Sequence, residues 1–399
     1  MKRRKFLKGM AGLSAGMIFS HSNAFGSTNR NPSIKPPVSK KETGVFLAGV
    51  PKGASEEIIK SAVREAALAA SDFSWLSRGD SVFIKPALNS GQPYPSTTSP
   101  LAVASVIKLL KEKGARRVIV GDMSGIEHVT LSPDSLSGST RKLMESSGMA
   151  GSVQAAGGEI HFFEEGGWKA FYEDPMVAGT HWKRGLMMPN ILKEVDHIVL
   201  MPRCSRHVLA GATLGLKAAV GYWRTDTRLE YHRDAASLHE KTAEANTAKT
   251  LLNKQRLVIS AADKILTTFG PDKGFVYQPE IGLMIASESV VAHDMVSLAW
   301  LLENRNHIPS GEQGRLNDTS AFVAWLANYW LVYKLGGWKP VFSADKLEKN
   351  DLKSIWDDRV LNRAYQVFDN TIPKVTIHEV NHQLSDQMRK RLTGMLKVK

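Results

Sequence analysis

Residues 79–122 read GDSVFIKPALNSGQPYPSTTSPLAVASVIKLLKEKGARRVIVGD. Two short apolar runs, 81–85 and 117–122, bracket a stretch, 100–114, in which apolar residues recur every three to four positions. Brief runs rich in Val, Ile and Phe have the length and composition of strands, whereas the three-to-four spacing is that of a helix. Strand, helix, strand in that order is a βαβ unit, and it requires a parallel pair of strands with the helix packed across them.

The same alternation extends outward. Further strand-like runs lie at 159–164, 196–202, 256–263 and 282–287, and a further helical pattern at 55–76. The expected fold is therefore one α/β domain over 44–305, a mainly parallel sheet with helices on both faces. Residues 306–399 read as a mostly helical C-terminal extension, with helices at 319–335, 357–368 and 385–396 and a strand-like alternation at 374–380. Residues 25–43, polar and proline-rich, read as a disordered leader.

The chain begins Met1-Lys2-Arg3-Arg4-Lys5-Phe6-Leu7-Lys8, continues into a short apolar run, and reaches Ser22-Asn23-Ala24. This is the layout of a cleavable signal peptide over 1–24. The paired arginines followed by Phe6-Leu7-Lys8 mark it as a twin-arginine signal, with the export machinery as partner and the periplasm as destination. Ordinary secretion and an uncleaved anchor are the alternatives. The apolar run falls short of the roughly 20 residues that span a bilayer, so the mature form is expected to carry no transmembrane helix. Because this route carries folded cargo, it fits a cofactor inserted before export, assembly in the cytoplasm, or fast folding.

Removing residues 1–24 takes five Lys/Arg and no acids, lowering the formal charge from +13 to +8. That balance favours an anionic ligand. The basic residues are scattered rather than striped with aromatics, which argues against nucleic acid. The single cysteine, Cys204, excludes an intrachain disulfide, and no iron–sulfur cluster is expected on a chain with one thiolate. The cofactor is otherwise left open, and so is the metal.

Ligands of open parallel sheets lie beyond the carboxyl ends of the strands. Those ends deliver Lys85, Asn89, Asp122, His128, Glu164, Glu165, Arg203, Cys204, Arg206, His207 and Asp263. Lys85, before Pro86, reads as a point-charge anchor or an activated base. Asp122 and His128 read as an acid/base pair or metal ligands. In the stretch 201–221 a strand leads to a basic loop and then to an expected helix start at Gly211-Ala212-Thr213, whose free N–H groups favour an anion. Arg203 and His207 would grip a carboxylate or phosphate, with Thr213 at the helix start and Lys217 one turn further in. The plainer alternative makes Thr213 an ordinary cap and leaves Lys217 and Arg206 in solvent.

The ordered motifs Gly79-Asp80, Val82 to Lys85-Pro86, Gly114-Ala115, Val118 to Asp122, Met201-Pro202, His207, Thr213, Lys217, Gly270-Pro271 and Ala292-His293-Asp294 resemble domain-of-unknown-function family 362 over about 43–305. The family pattern has Asn where Ala87 stands, Lys where Ser205 stands and Asn where Ala218 stands, so any chemistry of those polar groups is lost or altered here. Many relatives add a cysteine-rich ferredoxin module that this chain lacks. A weaker, fold-level similarity to lactate racemase-like proteins runs through Pro93, Pro95 and Gly125 to His128. Fold analogy does not carry function with it.

His378-Glu379-Val380-Asn381-His382 matches the zinc-protease motif H-E-x-x-H. The motif works on a helix, where its two histidines share a face, but the preceding residues alternate like a strand, on which they would lie about 13 Å apart. A third ligand is also missing. Three readings follow: an enzyme or former enzyme binding a small anionic metabolite, with or without a divalent metal, at the strand ends; a periplasmic carrier or assembly factor using the same pocket; and, least supported, a zinc protease.

Overall fold

The computed structural model describes residues 35–313, 321–350 and 352–398. The expected signal peptide, 1–24, lies outside the described residues, as does the leader up to residue 34. An eleven-stranded sheet forms the frame. Its strands are β1 (Val38–Pro51), β2 (Ser81–Pro86), β3 (Arg117–Asp122), β4 (Glu159–Phe162), β5 (His197–Met201), β6 (Arg203–His207), β7 (Gly211–Thr213), β8 (Gln255–Leu266), β9 (Val276–Tyr277), β10 (Ile281–Ser287) and β11 (Ile372–Glu379). The main row runs β11-β1-β10-β8-β5-β2-β3-β4. Every adjacent pair in it is parallel except those made by β10, which runs against both β1 and β8.

Side chains alternate across the sheet as strand geometry requires. Val82 and Ile84 of β2 pack with α1 (Glu56–Ala70) and α2 (Pro100–Glu112), while Phe83 between them joins an aromatic cluster with Tyr222, Trp223 and Tyr231 on the other face. Both helices start on serine caps: Ser55 Oγ accepts from Ile58 N, and Ser99 Oγ accepts from Ala102 N with Pro100 in the first turn. The mainly parallel α/β reading, with a largely helical C-terminal region, is what the chain adopts.

Two expectations need correction. The leader ends earlier than residue 43, because β1 begins at Val38 and Val38 is already in register with Ile372. Residues 203–207 and 211–213 are not a basic loop and a helix start but an antiparallel hairpin, β6–β7, with Arg206 opposite Ala212. The helix α3 (Gly215–Ala218) begins after it and is a single turn. The C-terminal region wraps the main domain: β11 completes the sheet beside β1, and α5 (Ala321–Gly336) packs on α4 (Thr225–Arg233).

Candidate functional site

A cavity of about 390 Å³ opens at the carboxyl ends of β2 and β3. Its floor is a buried ion pair. Lys85 Nζ lies 2.8 Å from Asp122 Oδ1, donates to Pro86 O at 2.7 Å and sits over the Tyr222 ring. Asp122 also accepts from Met123 N and Leu88 N, both at 2.8 Å, so its oxygens are committed. Burial pushes the Lys85 amine below its ordinary value, against the pull of Asp122. Gly221 makes the approach possible, since a Cβ there would overlap Asp122 Oδ1 and Lys85 Nζ.

The hairpin builds one wall. Alternation along β6 sends Arg203 and His207 to the cavity, while Cys204 turns into the core and donates to Ser297 O at 3.4 Å. Arg206 is buried and closes the hairpin on its own backbone, donating to His207 O at 2.9 Å and to Gly211 O, so it is not solvated. His207 Nδ1 accepts from Leu209 N at 3.1 Å and Ala210 N at 3.3 Å, leaving Nε2–H as its free donor. Burial first, then Lys217 and Arg203, holds this imidazole well below the usual value and hence neutral. Arg203 Nη1 donates to Pro271 O at 2.6 Å and to Ser96 O, its Nε lacks a partner, and burial lowers it to about 10.

The expected anion site at a helix start is taken from within. Gly215 N and Leu216 N donate to the Asp294 carboxylate at 2.8 and 2.7 Å, so the N-terminus of α3 is already neutralised. Thr213 is not its cap. It is the last residue of β7, its Oγ1 is buried without a partner, and it lines the cavity. Lys217, on α3, reaches the cavity over the Tyr231 ring at 5.6 Å. Burial, then Arg228, Arg203 and Lys85, pulls it down to about 7.

Two residues that sequence reasoning missed face these groups. Arg228 donates to Ser124 O at 2.6 Å, Met123 O at 2.7 Å and Gly221 O at 3.1 Å, and its Nε is left without a partner. His232 is held by Asn328 of α5: Asn328 Nδ2 donates to the His232 carbonyl at 2.8 Å, which turns its Oδ1 to His232 Nδ1 at 2.8 Å. The proton therefore sits on Nδ1, and Nε2 is a lone pair. Burial holds His232 neutral, down to about 3. Arg228 and His232 stand four apart in TDTRLEYHR, the spacing that places two side chains on one helix face.

His128 does not pair with Asp122. Its Nε2 lies 3.1 Å from Asp272 Oδ2, and Asn89 Nδ2 donates to the other oxygen of the same carboxylate. Asp263 is not in the cavity. β8 continues to Leu266, so Asp263 stands before the strand end, buried, and accepts from Tyr94 OH at 2.6 Å. Glu164 is likewise structural, accepting from Thr140 N at 2.7 Å. Lys85, Asn89, Asp122, His128, Arg203, His207, Thr213 and Lys217 line one space, closed on another side by Trp330 and Leu331 of α5, whereas Glu164, Glu165, Cys204, Arg206 and Asp263 do not reach it. Of the three departures from the family pattern, Ala87 and Ala218 line it and Ser205 is buried in β6.

His378 lies on β11, stacked on Phe46 at 4.8 Å, and Glu379 ends that strand, accepting from Leu384 N. The helix a zincin needs is a strand here. Among the described residues no three His, Cys, Asp or Glu converge as a metal set.

The fold and cavity define a mainly parallel α/β protein with a cation-lined pocket at its strand ends. The chain belongs to the family with the domain of unknown function DUF362, whose model matches residues 82–299. Among solved structures, the lactate racemase apoprotein from Thermoanaerobacterium thermosaccharolyticum is similar over 90% of this chain and 90% of its own, at 13% identity and a TM-score of 0.40. No curated protein matches the chain. No helix of the described residues is long and apolar enough to cross a membrane.

Proposed function

We propose that this protein, exported to the periplasm by the twin-arginine route, binds a small organic anion in its strand-end cavity, as an enzyme or as a carrier. One observation carries the binding reading: five Lys/Arg line the cavity against three carboxylates. Of those three, Asp122 is spent on Lys85 and backbone N–H groups, and Asp272 on Asn89 and His128. The surplus positive charge sits on desolvated groups, which a bound carboxylate or phosphate would neutralise. The wall of Trp330, Leu331 and Leu209 suits the apolar part of such a ligand.

The test is calorimetric titration of the purified protein with phosphate, pyruvate, lactate and malonate. At least one should bind saturably, and Lys217→Met should weaken it by about 10-fold to 100-fold, the contribution of one charged hydrogen bond. No binding by any of the four, or equal binding by the variant, rejects the reading. Turnover of the bound anion then separates enzyme from carrier. For export, residues 1–34 placed ahead of a folded reporter should carry it to the periplasm, and Arg3→Lys with Arg4→Lys should stop it. Continued export of the doubly substituted fusion rejects the route.

A further inference from the structure

Three lysines line the cavity, and they differ in what holds them. Lys85 is tied to Asp122 and Pro86 O, and Lys273 is exposed at the rim. Lys217 has neither fate. It pairs with no carboxylate among the described residues, and the Tyr231 ring is its neighbour. Its backbone is fixed, because Asp294 grips the first two N–H groups of its helical turn. A half-buried amine on which the charges of Arg228, Arg203 and Lys85 act, beside an aromatic face, is disfavoured as ammonium, and that is one way a lysine becomes a nucleophile.

The geometry points to Lys217 as the nucleophile that condenses with the carbonyl of a small 2-oxo acid and holds it in the cavity as a Schiff base. This rests on the anion-binding reading and names its substrate class. The carboxylate of such an acid is matched in charge by Arg203 and Arg228, whose side chains line the same cavity. His207, neutral and with only Nε2–H to offer, is a donor for the carbonyl oxygen. Lys217 at about 7 has roughly half its population unprotonated near neutral pH. In the step itself the Nζ lone pair forms the C–N bond. The carbonyl oxygen then leaves as water with the two amine hydrogens, and C=N replaces C=O. No oxidant or further reactant is required.

The experiment treats full-length protein with pyruvate, and separately with glyoxylate and 2-oxoglutarate, in the presence of cyanoborohydride, and maps the adduct by peptide mass spectrometry. One of the three acids should reduce onto Lys217 in stoichiometric yield, and Lys217→Arg should abolish that adduct while its circular dichroism stays that of the parent. A second measurement needs no substrate. A short pulse of cyanate at neutral pH should carbamylate Lys217 on the order of 100-fold faster than the exposed lysines. Saturable binding of a 2-oxo acid without an adduct overturns the Schiff base and leaves the anion site standing. Adducts spread evenly over surface lysines, or cyanate reactivity at Lys217 no higher than theirs, also overturn it. Failure of binding together with failure of both reactions removes the anion reading as well.

Discussion

The floor of the cavity and its wall are built from the same kinds of residue to opposite ends. On the floor, Lys85 and Asp122 exchange a 2.8 Å contact, and backbone N–H groups fill the rest of the carboxylate. On the wall, Lys217, Arg203 and Arg228 crowd together with atoms left unpartnered. A closed charge balance holds two strand ends together, whereas an open one is what the proposed anion binding rests on. The floor should therefore respond to mutation as structure, and the wall as binding.

Breaking the floor gives the largest effect. Asp122→Ala strands a buried ammonium and two N–H groups and should cost about 3–5 kcal/mol in urea unfolding, and Gly221→Ala should destabilise in the same direction by forcing the pair apart. Next comes the anchor of the wall: Asp294→Ala leaves Gly215 N and Leu216 N without an acceptor and should cost about 1–3 kcal/mol by the same measurement.

Lys217→Met should sharpen the contrast, because it removes a cation from the cavity wall and strands no partner charge. The sign with pH follows from linkage. Between about 7 and the ordinary lysine value the unfolded chain holds a proton at Lys217 that the folded chain does not. Stability contributed by this site therefore rises with pH across that window, with a slope of at most about 1.4 kcal/mol per pH unit. Urea midpoints from pH 7 to 10 should show that rise in the parent and a flatter curve in Lys217→Met, and identical curves would remove the contrast. The smallest effect is expected far from the cavity, where Glu379→Gln keeps the oxygen that Leu384 N needs. It should change stability by less than about 1 kcal/mol and anion affinity not at all.

The strands were legible because buried parallel strands are continuous apolar runs, and 81–85, 117–122 and 196–202 are such runs. β1 was missed: its first residues, VSKKET, are polar because they lie near the sheet edge, where only β11 covers them. The hairpin was misread because Gly211-Ala212-Thr213 carries too little side chain to distinguish a strand from a helix start. Arg228 and His232 were invisible for a different reason. TDTRLEYHR looks like an exposed polar helix, yet six of its nine residues are buried, and Arg228 and His232 are held by partners distant in sequence, Met123, Ser124 and Asn328. Asp263 was placed one strand end too early, since nothing in the apolar run shows that β8 goes on to Leu266.

One feature of the frame bears on how the molecule is made. β1 lies between β10 and β11, with Phe46 in register with Ala286 on one side and His378 on the other. During synthesis β1 must wait for β10 at Ile281–Ser287 to close one hydrogen-bonding edge, and for β11 at Ile372–Glu379 to close the other. Such long-range closure is slow and exposes an edge in the meantime. It also makes β11 a latch: a chain truncated before Ile372 would leave β1 at a bare sheet edge.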